Sequence, residues 1–97
     1  MEENARNIAE MLRVLANETR LMTLCLLIDG PLSVSEIAKR VPGITASALS
    51  QHLVLLKAHR ILDKSRSKQN VIYFISDQRV VEILKVLKEH YCCCGEK

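Results

Sequence analysis

Residues 45–59 read TASALSQHLVLLKAH, and the fold is decided here. Leu49, Leu53 and Leu56 stand four and three apart, a spacing that puts them on one face of a helix. The other face is short and polar, with Ser47, Ser50 and Gln51 at its start and Lys57 further along. Thr45 offers a side-chain oxygen to the free N–H groups of the first turn, so it is the expected N-cap. A helix buried on one side, with small hydrogen-bonding residues at its exposed N-terminal end, has the form of one that enters a groove. Ser and Gln carry both donors and acceptors, as the base edges of the DNA major groove require. The same pattern fits an amphipathic core helix with an ordinary solvated face, and the neighbouring sequence separates the two.

Just upstream, Pro42-Gly43 forces a turn. Before it a short helix runs to Arg40, capped by Ser33 or Ser35, with Val34, Ile37, Ala38 and Val41 expected to face inward. Two short helices joined by a tight turn, the second polar on its outer N-terminal face, form a helix-turn-helix pattern. Downstream the period changes. Residues 61–65 and 71–76 are β-prone runs separated by Arg66-Ser67-Lys68-Gln69-Asn70, which predicts a β-hairpin with a basic tip. Asn70 is the tip residue expected to take a positive φ. The charge distribution follows the same segment. Lys39, Arg40, Lys57, Arg60, Lys64, Arg66 and Lys68 face only Asp63 between residues 39 and 68, a local charge of +6 in a chain of net charge +3. Charge gathered around one helix and the segment after it suggests a polyanion partner. A solvated basic face is the plainer alternative.

The flanks complete the order. Residues 3–16 predict a first helix with Ile8, Met11, Leu12 and Leu15 as its apolar stripe. Asn17 caps a second helix, from Glu18 to about Ile28, and Glu18 suits the positive end of its dipole. That helix is apolar on most sides (Leu21, Met22, Leu24, Cys25, Leu26, Leu27, Ile28), the mark of a core helix. Asp29-Gly30-Pro31 ends it, and Leu32 reads as a short edge strand. Asp77 caps a last helix over residues 78–91. Its Val80, Val81, Ile83, Leu84, Val86 and Leu87 make two apolar faces, more than one core can use, so the second face is expected on a partner subunit.

At 97 residues the chain is expected to form one domain, 1–97, small enough for dimerisation to help it. Aromatic residues are 3% of the total, so aliphatic side chains must fill the core. No signal peptide and no apolar run long enough for a bilayer is found, so no membrane partner is expected. A cytoplasmic protein with reduced thiols follows. His52, within reach of the buried side of its helix, is expected as a structural hydrogen-bonder. His59 sits near the helix end, where positive charge is favourable. Neither pairs with a nucleophile and a carboxylate, and the sequence lacks a Gly-rich phosphate loop or an HExxH motif. No enzyme activity, catalytic residue or cofactor is therefore expected.

Helix, helix, edge strand, helix-turn-helix, hairpin, helix is the order of a winged helix-turn-helix, a mainly α fold with a β-hairpin wing. In Leu15-Ala16-Asn17-Glu18-Thr19-Arg20-Leu21 and Ala48-Leu49-Ser50-Gln51-His52-Leu53 the sequence resembles the ArsR/SmtB family of bacterial repressors, over residues 9–92 or so. That resemblance implies a homodimer joined by first and last helices and a recognition helix in the major groove of double-stranded operator DNA. It further implies wings on the flanking DNA and an inducer that lowers affinity. Thr45, Ser47, Ser50 and Gln51 then belong to the base-reading end, and Lys57, Arg66 and Lys68 to the phosphates. Departures fall in the loops. Arg60 stands near the family's usual Gly and is expected to bear a left-handed turn at a cost of roughly 1–2 kcal/mol. The turn at residues 41–44 is one residue longer than usual, and the wing tip lacks the common Gly.

The signal is read from the sulfur atoms. Ser33 and Ser35 occupy the cysteine positions of the family's third-helix metal site, and a neutral hydroxyl is a poor substitute for thiolate. Asp77 and His90 fit two places of its last-helix zinc site, with Cys93 a stand-in for a fourth. Arg79, a permanent cation, takes the place of the first His. No metal is therefore expected. Leu24-Cys25-Leu26-Leu27 with Glu89-His90-Tyr91-Cys92 resembles the family's thiol-sensing branch, in which two cysteines at these places are linked by reactive sulfur species or oxidants and DNA is released. Cys25 with Cys92 (or Cys93) is the switch so implied. Three readings compete with it. Cys92, Cys93 and Cys94 together suit trivalent arsenic or a soft metal, a buried Cys25 suits a mere core position, and the basic face suits a winged-helix module that binds protein.

Overall fold

A computed structural model of the chain describes residues 2–91. Five helices and three strands follow in the order α1 (Glu2–Leu15), α2 (Glu18–Ile28), β1 (Leu32–Ser33), α3 (Val34–Arg40), α4 (Ala46–Ala58), β2 (Leu62–Ser67), β3 (Asn70–Ile75) and α5 (Gln78–Tyr91). The fold is a winged helix-turn-helix. Its sheet is antiparallel throughout in the order β1-β3-β2, so the edge strand before α3 pairs with the far arm of the hairpin, Leu32 opposite Tyr73.

Local chemistry sets each boundary. Asn17 Oδ1 accepts from the Arg20 backbone N–H at 3.0 Å and starts α2. Ser33, rather than Ser35, caps α3. Its hydroxyl accepts from the Glu36 N–H at 3.2 Å while the Glu36 carboxylate accepts from the Ser33 N–H at 2.9 Å, a reciprocal capping box. Hydrogen bonding to the carboxylate by Ser33, first from its backbone N–H and then from its side chain, holds the Glu36 carboxyl below its ordinary range. Gly43, at φ 70, makes the turn into α4. The far end of α4 closes without glycine. Arg60 N–H bonds to Lys57 O at 2.9 Å and Ile61 N–H to Leu56 O at 3.0 Å, the pair of bonds of a Schellman cap. Arg60 carries the left-handed residue of that cap at φ 63, as expected from its place in the sequence.

Two expectations need correction. The hairpin is tighter than the sequence suggests, because Ser67 pairs with Asn70 and leaves a loop of Lys68 and Gln69 alone. Asn70 is therefore held in the ladder, and the positive φ falls on Lys68 at 58°. Ala38, expected to face inward, is exposed on α3. Ile37 and Val41 supply the buried side of that helix, and Ala38 lines a surface groove beside α4 instead.

The core is aliphatic. Leu24 of α2, Ile37 of α3, Leu49, Leu53 and Leu56 of α4, Ile61 and Leu62 before and in β2, and Val80 and Leu84 of α5 are all almost wholly buried in one cluster. Tyr73 closes it from the wing. The helix α2 packs against α1, α4, α5 and β3, which makes it the central element. Leu49, Leu53 and Leu56 thus fix which side of α4 remains free, and the site is built on that free side.

Candidate nucleic-acid interface

The helix α4 is held on three sides. Leu49, Leu53 and Leu56 are buried, its N-terminus is capped by Thr45, whose Oγ1 accepts from the Ala48 N–H at 3.1 Å, and its middle is tied to α2. The tie is a bridge by Arg20, which lies in the first of the two sequence motifs. Arg20 Nε donates to the Val14 carbonyl at the end of α1 at 2.6 Å, and Nη1 lies 3.2 Å from His52 Nδ1. A guanidinium has no acceptor, so Nδ1 must accept and His52 carries its proton on Nε2. His52 is thus the structural hydrogen-bonder its position suggested. Its partner, 32 residues earlier, has no periodic signal in the sequence.

The free face begins with Ser47, Ser50 and Gln51, all exposed. Thr45 is exposed as well, but its hydroxyl is engaged in the cap. Lys57 lies in the last turn of the helix and makes a loose pair with Asp63 at 3.9 Å, both partners about half exposed. Such a surface pair is worth only about 0–1 kcal/mol, so a phosphate competes with it readily. Arg66 and Lys68 are exposed on the wing, Arg66 near the end of β2 and Lys68 at the tip. A groove of about 480 Å³ joins these parts. Ala46, Leu49 and Ser50 of α4 line one side, Gln69, Asn70 and Val71 of the wing the other, with Ser33, Ser35 and Ala38 on the α3 side. The N-terminal end of α4 and the wing tip therefore border one surface.

The same free face carries a residue that the sequence pattern does not single out. Val54 is 62% exposed on α4, although it stands inside the apolar run Leu53-Val54-Leu55-Leu56. Adjacent apolar letters hide which one points out, and only the angle around the helix separates them.

Cys25 is 3% exposed on α2, the helix that packs against α5. Cys92, Cys93 and Cys94 lie outside the described residues, one to three positions after Tyr91. Asp77 is clamped by Arg79, with Nε to Oδ1 at 3.0 Å and Nη2 to Oδ2 at 2.8 Å. That hydrogen bonding holds the Asp77 carboxyl below its ordinary range. The carboxylate is therefore part of an ion pair and of the α5 cap, where its Oδ1 also takes the Arg79 N–H at 3.0 Å. Among the described residues no group of three or more His, Cys, Asp or Glu side chains could hold a metal ion, and no helix is long and apolar enough to cross a membrane.

Three comparisons place this geometry among known proteins. Residues 17–64 match the profile of bacterial regulatory proteins of the arsR family. The transcriptional activator HlyU of Vibrio cholerae is 37% identical, over 95% of this chain and 84% of its own. The structure of reduced HlyU from that organism superposes with a TM-score of 0.89, over 95% of this chain and 96% of that one. The transcriptional repressor BigR of Xylella fastidiosa superposes with a TM-score of 0.84 at 29% identity, over 96% and 94%. A homodimeric winged helix-turn-helix DNA-binding domain from Mycobacterium bovis does so with 0.79 at 25% identity, over 91% and 81%.

Proposed function

The chain belongs to the arsR family of bacterial regulatory proteins, and from that premise we propose that it is a homodimeric repressor released from its operator when reactive sulfur or an oxidant links Cys25 to Cys92. The family is one of winged-helix transcriptional regulators, not of enzymes. The observation that carries the DNA reading is the free face of α4, polar at its capped end and bordered by the basic wing. Ser47, Ser50 and Gln51 read base edges, Thr45 holds the helix end that presents them, and Lys57, Arg66 and Lys68 hold phosphates.

Dimerisation is supported by the apolar surface. Among the described residues six large hydrophobic side chains are exposed, and five of them (Ile8, Leu12, Val86, Leu87, Tyr91) lie on α1 and α5. A stripe of this kind on the first and last helices suits a self-complementary interface with a second copy. The M. bovis relative, described as homodimeric, supports the same assembly.

The switch reading is supported by the packing of α2 on α5 and by the existence of a relative in a state named as reduced. Its chemistry balances with a persulfide, RSSH, as the oxidant. The Cys92 thiolate takes the outer sulfur, the thiol RSH leaves, and Cys92 carries –S–SH. The Cys25 thiol then attacks the Cys92 sulfur, the Cys25–Cys92 disulfide forms, and hydrogen sulfide departs, carrying off the transferred sulfur in reduced form. Cys25 is shielded from solvent, so it acts second. A covalent link from Cys25 of α2 to Cys92, the residue after α5 in sequence, alters the spacing of the two recognition helices, which must match one turn of DNA.

The deciding experiment is operator binding by the reduced protein with persulfide, hydrogen peroxide, arsenite and zinc added separately. Release by persulfide or peroxide is expected. Release by arsenite alone, lost when Cys92, Cys93 and Cys94 are all replaced by Ser, replaces the thiol switch with a metalloid sensor. The contact assignments have their own test. Gln51→Ala should cost about 1–3 kcal/mol at one base pair and relax specificity there. Lys68→Ala should weaken all sequences alike and flatten the salt slope by about one unit per protomer. A Gln51→Ala variant that loses the same affinity on every sequence removes Gln51 from the base contacts.

A further inference from the structure

Among the described residues, five of the six exposed large hydrophobic side chains lie on α1 and α5, and Val54 is the sixth. It lies on α4, a different element, in the segment of highest positive charge. Helical geometry places it well. Val54 follows Ser47 by seven residues, two turns later and within about 20° of the same line. Ser50 and Gln51 fall about 40° and 60° to either side of that direction, so Val54 continues the face they form. No inward role is left for it, since Leu49, Leu53 and Leu56 already fill the buried side.

An apolar side chain on such a face has one apolar group to meet in a major groove, the 5-methyl of thymine. The surrounding cations favour a polyanion over an apolar protein surface. We propose that Val54 is a specificity-determining residue that packs on a thymine methyl in each half-site. This rests on the DNA-binding reading given above. Val54 lies about 4.5 Å beyond Gln51 along the helix axis. The thymine it selects is therefore within about two base pairs of the position whose specificity Gln51→Ala relaxes.

Uracil differs from thymine only by that methyl, so it isolates the contact. The full chain is used to select duplexes from a random library, and each thymine of the selected site is replaced by uracil in turn. At one thymine per half-site, uracil should weaken the wild type about fourfold, and about 15-fold when both half-sites are changed, as expected for one buried methyl each. Val54→Ala should bind the thymine and uracil duplexes equally, with an unchanged melting curve because the residue is exposed. A wild type indifferent to uracil at every position overturns the proposal. So does a Val54→Ala variant that keeps the full uracil penalty. If the wild type selects no duplex at all, the DNA reading itself fails and takes this proposal with it, a result distinct from either.

Discussion

Leu87→Glu is expected to convert a dimer into monomers or aggregates and to lower operator affinity by about 10² to 10⁴. Leu87 is 41% exposed on α5, beside Val86 and one turn before Tyr91, and Ile8 and Leu12 of α1 are exposed as well. A carboxylate there would be buried without a partner in the dimer, at a cost that one interface cannot absorb. The loss of affinity follows from linkage rather than from any change in α4. A dimer binds its second half-site at the effective concentration set by the first, and a monomer forfeits that factor. Circular dichroism of the variant should stay helical, because Val80 and Leu84, the buried residues of α5, are untouched. Sedimentation reads the assembly. A wild type that sediments as a well-folded monomer contradicts the prediction before the variant is made.

Cys25→Ser is the second large effect. Reduced Cys25→Ser should bind the operator as the wild type does, because Cys25 is buried in α2 and presents nothing to DNA. Its response to persulfide should vanish. Couplings of this kind typically change affinity about 5–150-fold, and the variant should show no change. Cys92→Ser should do the same with the buried Cys25 left in place, which guards against a Cys25→Ser protein that is merely unstable. Mass spectrometry of treated wild type should join a peptide containing Cys25 to one containing residues 92–94. A Cys25→Ser protein that still releases DNA on persulfide treatment removes Cys25 from the switch.

Much of the fold is legible because its signals are local. Asn17 and Thr45 cap the helices they precede, and Asp29-Gly30-Pro31 and Pro42-Gly43 end those before them. The leucine spacing of α4 names its buried side correctly, and Arg60 takes the left-handed conformation that helix closure demands. What escapes depends on pairing across the chain. The wing loop shrinks to two residues because strand register, which turn chemistry alone does not set, pairs Ser67 with Asn70. Helical spacing assigns Ala38 to the core, but a seven-residue helix buries only what its neighbours cover, and Ile37 and Val41 suffice. The Arg20 bridge joins α1, α2 and α4 through a contact that no window of sequence contains. Val54 is hidden in an apolar run whose members differ only in direction. The cysteine pair is legible only as a resemblance, since its second half lies outside the described residues.

A duplex gripped by the free face of α4 and the wing shows itself in the salt dependence of binding to a selected operator. Lys57, Arg66 and Lys68 from two protomers amount to about six phosphate contacts, each displacing about 0.9 of a counterion, so log affinity should fall linearly with log salt at a slope of about −5. Between about 50 and 200 mM salt the affinity should drop about a thousandfold. A duplex affinity that is unmeasurable at about 50 mM salt, or a slope near zero, would rule out that grip and return the basic face to a protein partner.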